Sequence, residues 1–369
     1  MKRDVAIIGG GIIGCATAYY LAKQGASVIL LERGRIGEQA TGASAGMLAP
    51  VAEAKRPGAF LDVVVAALRD YPDAVREVEE ASGVSTGYNQ RSILRVAFSA
   101  EDEGKFALAL PMYELAGLPY KRLDGAQARE EEPALGDGVV SAILSPEEGQ
   151  VLPRQLVQSY RHAAGLLGAE FREDSEVMAL ETTGKSVTSV NTLDGVVEAD
   201  RVVIAAGAWS SRFAGPLNTN IPVFPVRGQI AAIKGMNIPV RHVLYSYGGY
   251  AVPWPDGRLL LGATQEEAGY APHTTVDGIQ QVLNGGKRLV PSVATAELDE
   301  VWAGLRPGSP DAMPILGPAA GWDNVWLATG HYRNGILLGP YTGRLVAESM
   351  AAGAVSDALQ PFLVSRLAQ

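Results

Sequence analysis

The chain has 369 residues, 47% of them hydrophobic and 19% charged, with a formal net charge of −9. That balance excludes disorder and fits one large core or two ordinary ones. The acidity opposes nucleic acid or anionic membrane partners, which select basic faces, and the single cysteine rules out an internal disulfide framework and fits a reducing cytoplasm.

Lys2 and Arg3 precede an apolar stretch that could be taken for a leader, but Gly9, Gly10, Gly11 and Gly14 interrupt it. No run of 18 apolar residues exists to predict a membrane span. Val5 to Ile8 is a short β-branched run, as expected for a buried parallel strand. Gly9, Gly11 and Gly14 then form G-x-G-x-x-G, Ala16 to Lys23 reads as a helix, and Val28 to Leu31 as a second strand ending at Glu32. A glycine motif between strand and helix, with an acid some 20 residues on, predicts a dinucleotide site. Gly9 allows the turn, Gly11 admits a pyrophosphate, and Gly14 lets the helix pack closely. Glu32 would accept ribose hydroxyls and repel a 2′-phosphate, which disfavours NADP. FAD and NAD both remain open on this motif.

The segment 35–50 is rich in Gly, Ala, Ser and Thr, and reads either as a flexible loop or as chain passing beside a bulky cofactor. Residues 59–82 read as helix, with Pro72 breaking it or starting a new one. Val202 to Ala205 reads as a strand, followed by Gly207 and Trp209. "YAVPWPDGRLLLGAT" predicts an antiparallel hairpin turning at Pro-Asp-Gly. Near the end, Arg333 stands at a turn just before a helix start, where positive charge is locally unfavourable unless an anion binds there. Four scattered histidines give no metal spacing, so no metal is expected. No Ser-His-Asp set or carboxylate pair presents itself.

Together "VAIIGGGIIG", "ASAGMLAP", "VWAGLRPGSPDAMPILG" and "ATGHYRNGILLGPYTG" resemble the D-amino acid oxidase superfamily of flavoproteins, and within it the glycine oxidases of thiamin biosynthesis. The resemblance covers nearly the whole chain. It implies a Rossmann-like α/β domain holding noncovalent FAD, with an inserted substrate domain on a largely antiparallel sheet. It further implies a small amino acid substrate, dioxygen as electron acceptor and a homo-oligomer, a tetramer in the family. The flavin domain is expected over 1–85, 146–215 and 300–369, and the substrate domain over 86–145 and 216–299.

The same resemblance assigns residues. Arg333 matches a carboxylate-binding arginine, Arg306 a second pocket arginine and Tyr250 a hydroxyl donor. Alone, Arg306 could be a structural ion-pair partner and Tyr250 a core residue. Gly248 and Gln265 stand where the family pattern has histidine and methionine, in the expected substrate pocket. Cofactor positions are Gly9, Gly11, Ile12, Ile13, Gly14, Glu32, Arg33, Ala40, Thr41, Ala45, Gly46, Met47, Val177 and Gly207. The loop expected to wrap the flavin adds Gly330, His331, Tyr332, Arg333, Asn334, Gly335, Ile336 and Leu337. No side-chain acid or base is required for hydride transfer from a neutral amine. A dehydrogenase feeding a quinone or protein acceptor, a sarcosine-oxidase-like enzyme, and a flavin protein without turnover are the competing readings.

Overall fold

The computed structural model describes residues 2–235 and 239–367. Two eight-stranded sheets organise them. The first runs in the order Ile315–Pro318, Val325–Thr329, Gly195–Ile204, Arg3–Ile8, Val28–Leu31, Glu170–Arg172. Along this path neighbours pair in parallel except Ile315–Pro318, which is antiparallel to Val325–Thr329; the remaining two strands, Ser186–Thr192 and Val177–Thr183, extend Gly195–Ile204 as an antiparallel branch. Alternation along the central strand splits its side chains between two layers. Val5 and Ile7 face a helical layer, whereas Ala6 and Ile8 face a second apolar layer that includes Val187 and Val190.

The helical layer contains Ile12–Lys23, Ala59–Ser82, Pro153–Leu166 and Gly335–Ala352. The first helix begins at Ile12, four residues before the expected Ala16, so that it starts directly on the glycine motif. Ala59–Ser82 is continuous through Pro72. The ring of Pro72 is exposed, and the buried stripe from Leu61 to Val78 outweighs the one hydrogen bond lost. The last helix crosses the first closely. A Cβ on Gly339 would lie 2.7 Å from Ile12 Cγ1, and one on Gly343 would lie 2.6 Å from the Ala16 carbonyl carbon. This approach brings both helix N-termini to the same side of the sheet.

The second sheet has the order Glu297–Gly308, Phe224–Lys234, Leu259–Gly262, Gly249–Pro253, Val243–Ser246, Ile93–Ala97, Ser141–Ser145, Lys121–Asp124. It is antiparallel apart from the Val243–Ser246 and Ile93–Ala97 pair. The hairpin at Pro-Asp-Gly forms, closed by Trp254 N–H on Arg258 O. Glu297–Gly308 runs through position 300, where the sequence division sets a boundary, and pairs with Phe224–Lys234 as far as Gly308. Among the described residues no helix is long and apolar enough to cross a membrane.

Candidate active site

A cavity of about 340 Å³ lies along the ends of the first sheet's parallel strands and reaches under the second sheet. At its outer end, Gly9 to Ile13 and Glu32 form the wall. Glu32 accepts from Gly10 N–H at 2.7 Å and from Gly34 N–H at 2.9 Å, so its carboxylate is fixed at the strand tip. A Cβ at Gly14 would lie 2.0 Å from Gly9 O, so this glycine serves helix packing and does not itself line the cavity. Thr41 Oγ1 accepts from Ile12 N–H at 3.0 Å, and no side chain caps the helix from Gly11. Arg33 stacks 3.7 Å from the Trp209 ring centre, and both line the cavity. Ala40, Ala45, Gly46, Met47, Val177 and Gly207 complete this part of the wall.

Two tryptophans of the second sheet hold the loop between. Trp302 donates to Ala43 O at 3.1 Å and Trp254 to Ala45 O at 3.3 Å. Neither indole N–H is left free for chemistry.

At the inner end stand Arg306, Arg333 and Tyr250. Two glycines make room for them. A Cβ at Gly228 would lie 2.2 Å from the Arg306 guanidinium, and one at Gly262 would lie 2.3 Å from the Tyr250 hydroxyl. Arg306 donates to Thr264 O at 3.1 Å and Arg227 O at 3.4 Å, and no carboxylate lies within 4 Å of it among the described residues. Burial, then the neighbouring Arg333, pull its guanidinium below the ordinary value. A structural ion pair is therefore not its role. Tyr250 is buried, and burial pushes its hydroxyl up, which keeps it a proton donor. Arg333 Nε lies 3.1 Å from Glu53 Oε1. An inner end with two guanidiniums, one carboxylate and a phenol carries net positive charge and is built for a small anion.

The loop before the last helix positions Arg333. Tyr332 takes φ +48° and its N–H donates to Pro307 O at 2.9 Å. His331, Tyr332, Gly335 and Ile336 line the cavity beside Arg333, whereas Gly330, Asn334 and Leu337 support the turn from behind. No side chain caps the helix beginning at Gly335. Its free N–H groups and dipole favour negative charge in the cavity.

His331 is buried, its Nε2 3.1 Å from Thr342 Oγ1, and burial pushes its pKa down to about 3. The unfolded chain binds a proton near pH 6.5 and the folded one does not. Stability is therefore full above pH 6.5 and falls as pH drops toward 3. Thermal unfolding is expected to show up to about 2 kcal/mol lost between pH 7 and 5, and His331→Gln should flatten that slope. An unchanged slope in the variant would contradict the assignment.

Gly248 and Gln265 do not reach the cavity. Gly248 lies exposed in the turn between Val243–Ser246 and Gly249–Pro253. After Gly262 the chain alternates. Thr264 points inward at 2% exposure, Gln265 outward, and Glu266 back toward Arg227 and Gln229. Sequence reasoning missed Glu53, and it missed Ser175, a cavity residue whose buried Oγ has no hydrogen-bond partner. Ser175 follows the strand beside Glu32, and its N–H donates to Glu32 O at 2.8 Å.

Residues 4–349 match the family model described as FAD dependent oxidoreductase. The chain belongs to that family. It is 34% identical over 369 residues to the glycine oxidase of Bacillus subtilis (strain 168), covering 99% of this chain and 98% of the relative. It is 38% identical over 370 residues to the bifunctional protein ThiO/ThiG of Synechocystis sp., covering 98% of this chain but only 54% of that protein, so it spans about half of this relative's length. A crystal structure of glycine oxidase from Geobacillus kaustophilus superposes with a TM-score of 0.94 at 30% identity, with 99% of each chain covered. The protein is an FAD-dependent oxidoreductase of mixed α/β fold. Its own geometry fits the cofactor: a cavity onto which two helix N-termini face, neither capped by its own N-cap side chain, a fixed carboxylate at the strand tip and the orphan hydroxyl of Ser175.

Proposed function

We propose that the protein oxidises glycine and related small amines, including sarcosine and small D-amino acids. For glycine, substrate, water and dioxygen give glyoxylate, ammonia and hydrogen peroxide. FAD supplies the acceptor for a hydride from the substrate Cα, at its N5. The single observation that carries this reading is the net positive charge that Arg306 and Arg333, with only Glu53 between them as a counter-charge, place beside the buried Tyr250 hydroxyl. Gly9, Gly11, Ile12, Glu32, Arg33 and Val177 are proposed to hold the adenosine and pyrophosphate end. The loop from His331 to Ile336 is proposed to hold the flavin, with its helix N-terminus favouring the negative charge of the reduced ring. Arg333 would grip the substrate carboxylate, and Tyr250 would donate to it. Fixing the carboxylate of a small substrate at two points supplies orientation, which is most of what this chemistry asks of the protein.

The first sheet with its helices is proposed as the cofactor unit and the second sheet as the substrate unit. A role in thiamin biosynthesis, a cytoplasmic setting and a homo-oligomeric state follow the family resemblance. Aerobic incubation with glycine tests the reading: peroxide and glyoxylate are expected in equal amounts. Turnover seen only with an added dye or quinone would instead indicate a dehydrogenase.

The cofactor is proposed to be noncovalent. Cys15, the lone cysteine, is buried in the first helix and does not line the cavity. Heat or acid precipitation is expected to release free FAD into the supernatant, whereas yellow precipitate would mean a covalent link.

A further inference from the structure

Away from the cavity, Arg95 and Glu148 form an ion pair at 2.8 Å, with side chains 2% and 0% exposed. Tyr113 donates its hydroxyl to the other Glu148 oxygen at 3.1 Å, and Arg95 Nη1 has no partner among the described residues. Burying two charges while leaving one donor unpaired is a poor way to gain stability. Replacing such a pair with apolar groups of equal volume is often neutral or stabilising.

The pair sits where two routes to the substrate site meet. Arg95 is the direct cross-strand neighbour of Tyr245, and Tyr245 of Tyr250, so the three stand in one row on one face of the second sheet. The Arg95 guanidinium lies 5.6 Å from the Tyr245 ring centre. On the other side, Glu148 leads into Gly149–Gln150, which pairs with Met47–Leu48. That short strand runs into the helix Pro50–Glu53, whose Val51 amide faces the Glu148 carboxylate and whose Glu53 meets Arg333.

We propose that the Arg95–Glu148 pair positions the carboxylate site, holding the Tyr245 ring behind Tyr250 and the Pro50–Glu53 helix behind Arg333. The proposal rests on the reading of Arg333 and Tyr250 given above. It makes Arg95 and Glu148 positioning residues, since neither touches the cavity.

The test is the double variant Arg95→Met/Glu148→Leu in the FAD-loaded protein, with acetate as an unreactive carboxylate probe followed by flavin absorbance. FAD content and thermal midpoint should match wild type. The acetate Kd and the half-saturating glycine concentration for anaerobic flavin reduction should rise at least about tenfold, as displaced binding groups require, while the saturating reduction rate changes little. A folded double variant that binds acetate and glycine as wild type does, or that folds but does not hold FAD, would overturn the proposal. Should the double variant not fold, Tyr113→Phe decides: a raised acetate Kd at unchanged midpoint supports it, and an unchanged Kd overturns it. Wild-type protein that binds acetate but is not reduced by glycine would sink only the substrate reading. Wild-type protein that binds no carboxylate would overturn both.

Discussion

Arg333→Ala is expected to raise the apparent Kd for glycine by about 30-fold to several thousandfold, the equivalent of about 2–5 kcal/mol for a bidentate, partly desolvated charge contact. Part of that loss comes from Glu53. With the guanidinium gone, its carboxylate, 16% exposed, is left without its partner near the place where a substrate carboxylate would bind. Repulsion then adds to the missing attraction, so Arg333→Ala/Glu53→Gln should bind glycine better than Arg333→Ala alone. Simple amines without a carboxylate should be affected far less, because they never use the contact. FAD content should stay at the wild-type level, since the loop from His331 to Ile336 keeps its backbone bonds. The measurement is anaerobic flavin reduction with glycine and an uncharged amine in the three proteins. Equal losses for both substrates would mean that Arg333 serves the fold and not the carboxylate.

Glu32→Lys is expected to purify largely without flavin. The carboxylate accepts from Gly10 and Gly34 N–H, and a lysine in its place leaves both donors without an acceptor. It also puts a donor-only cation where ribose hydroxyls would donate. Losing one charged acceptor costs about 1.5–3 kcal/mol, so FAD affinity should fall at least about tenfold to hundredfold. Flavin content by absorbance ratio checks this, with Glu32→Gln as a milder companion. A Glu32→Lys protein with full flavin would remove Glu32 from the cofactor site.

Local features of the site were legible in the sequence because their geometry is local. Gly9, Gly11, Gly14 and Glu32 lie within one strand–helix–strand unit, and the turn at Tyr332–Asn334 announces the last helix. Arg306 and Tyr250 were reached through resemblance, and their surroundings became visible only in three dimensions. The glycines that open space for them, Gly228 and Gly262, lie on neighbouring strands whose register no single strand reveals. Glu53 is 280 positions from Arg333, and nothing in "PVAE" distinguishes it from a solvated helix end. Gly248 and Gln265 show the opposite failure. The family pattern, with histidine and methionine at these positions, suggested the cavity, but turn position and strand alternation turn both outward. Pro72 failed in the same way, because a buried helical stripe on both sides carries the helix past it.

The most direct test of the oxidase reading mixes the purified yellow protein with glycine without oxygen and follows flavin absorbance. Loss of the visible flavin band, saturating with glycine and reversed by air with release of peroxide, is the predicted result. An unchanged spectrum with glycine, sarcosine and small D-amino acids alike would contradict it.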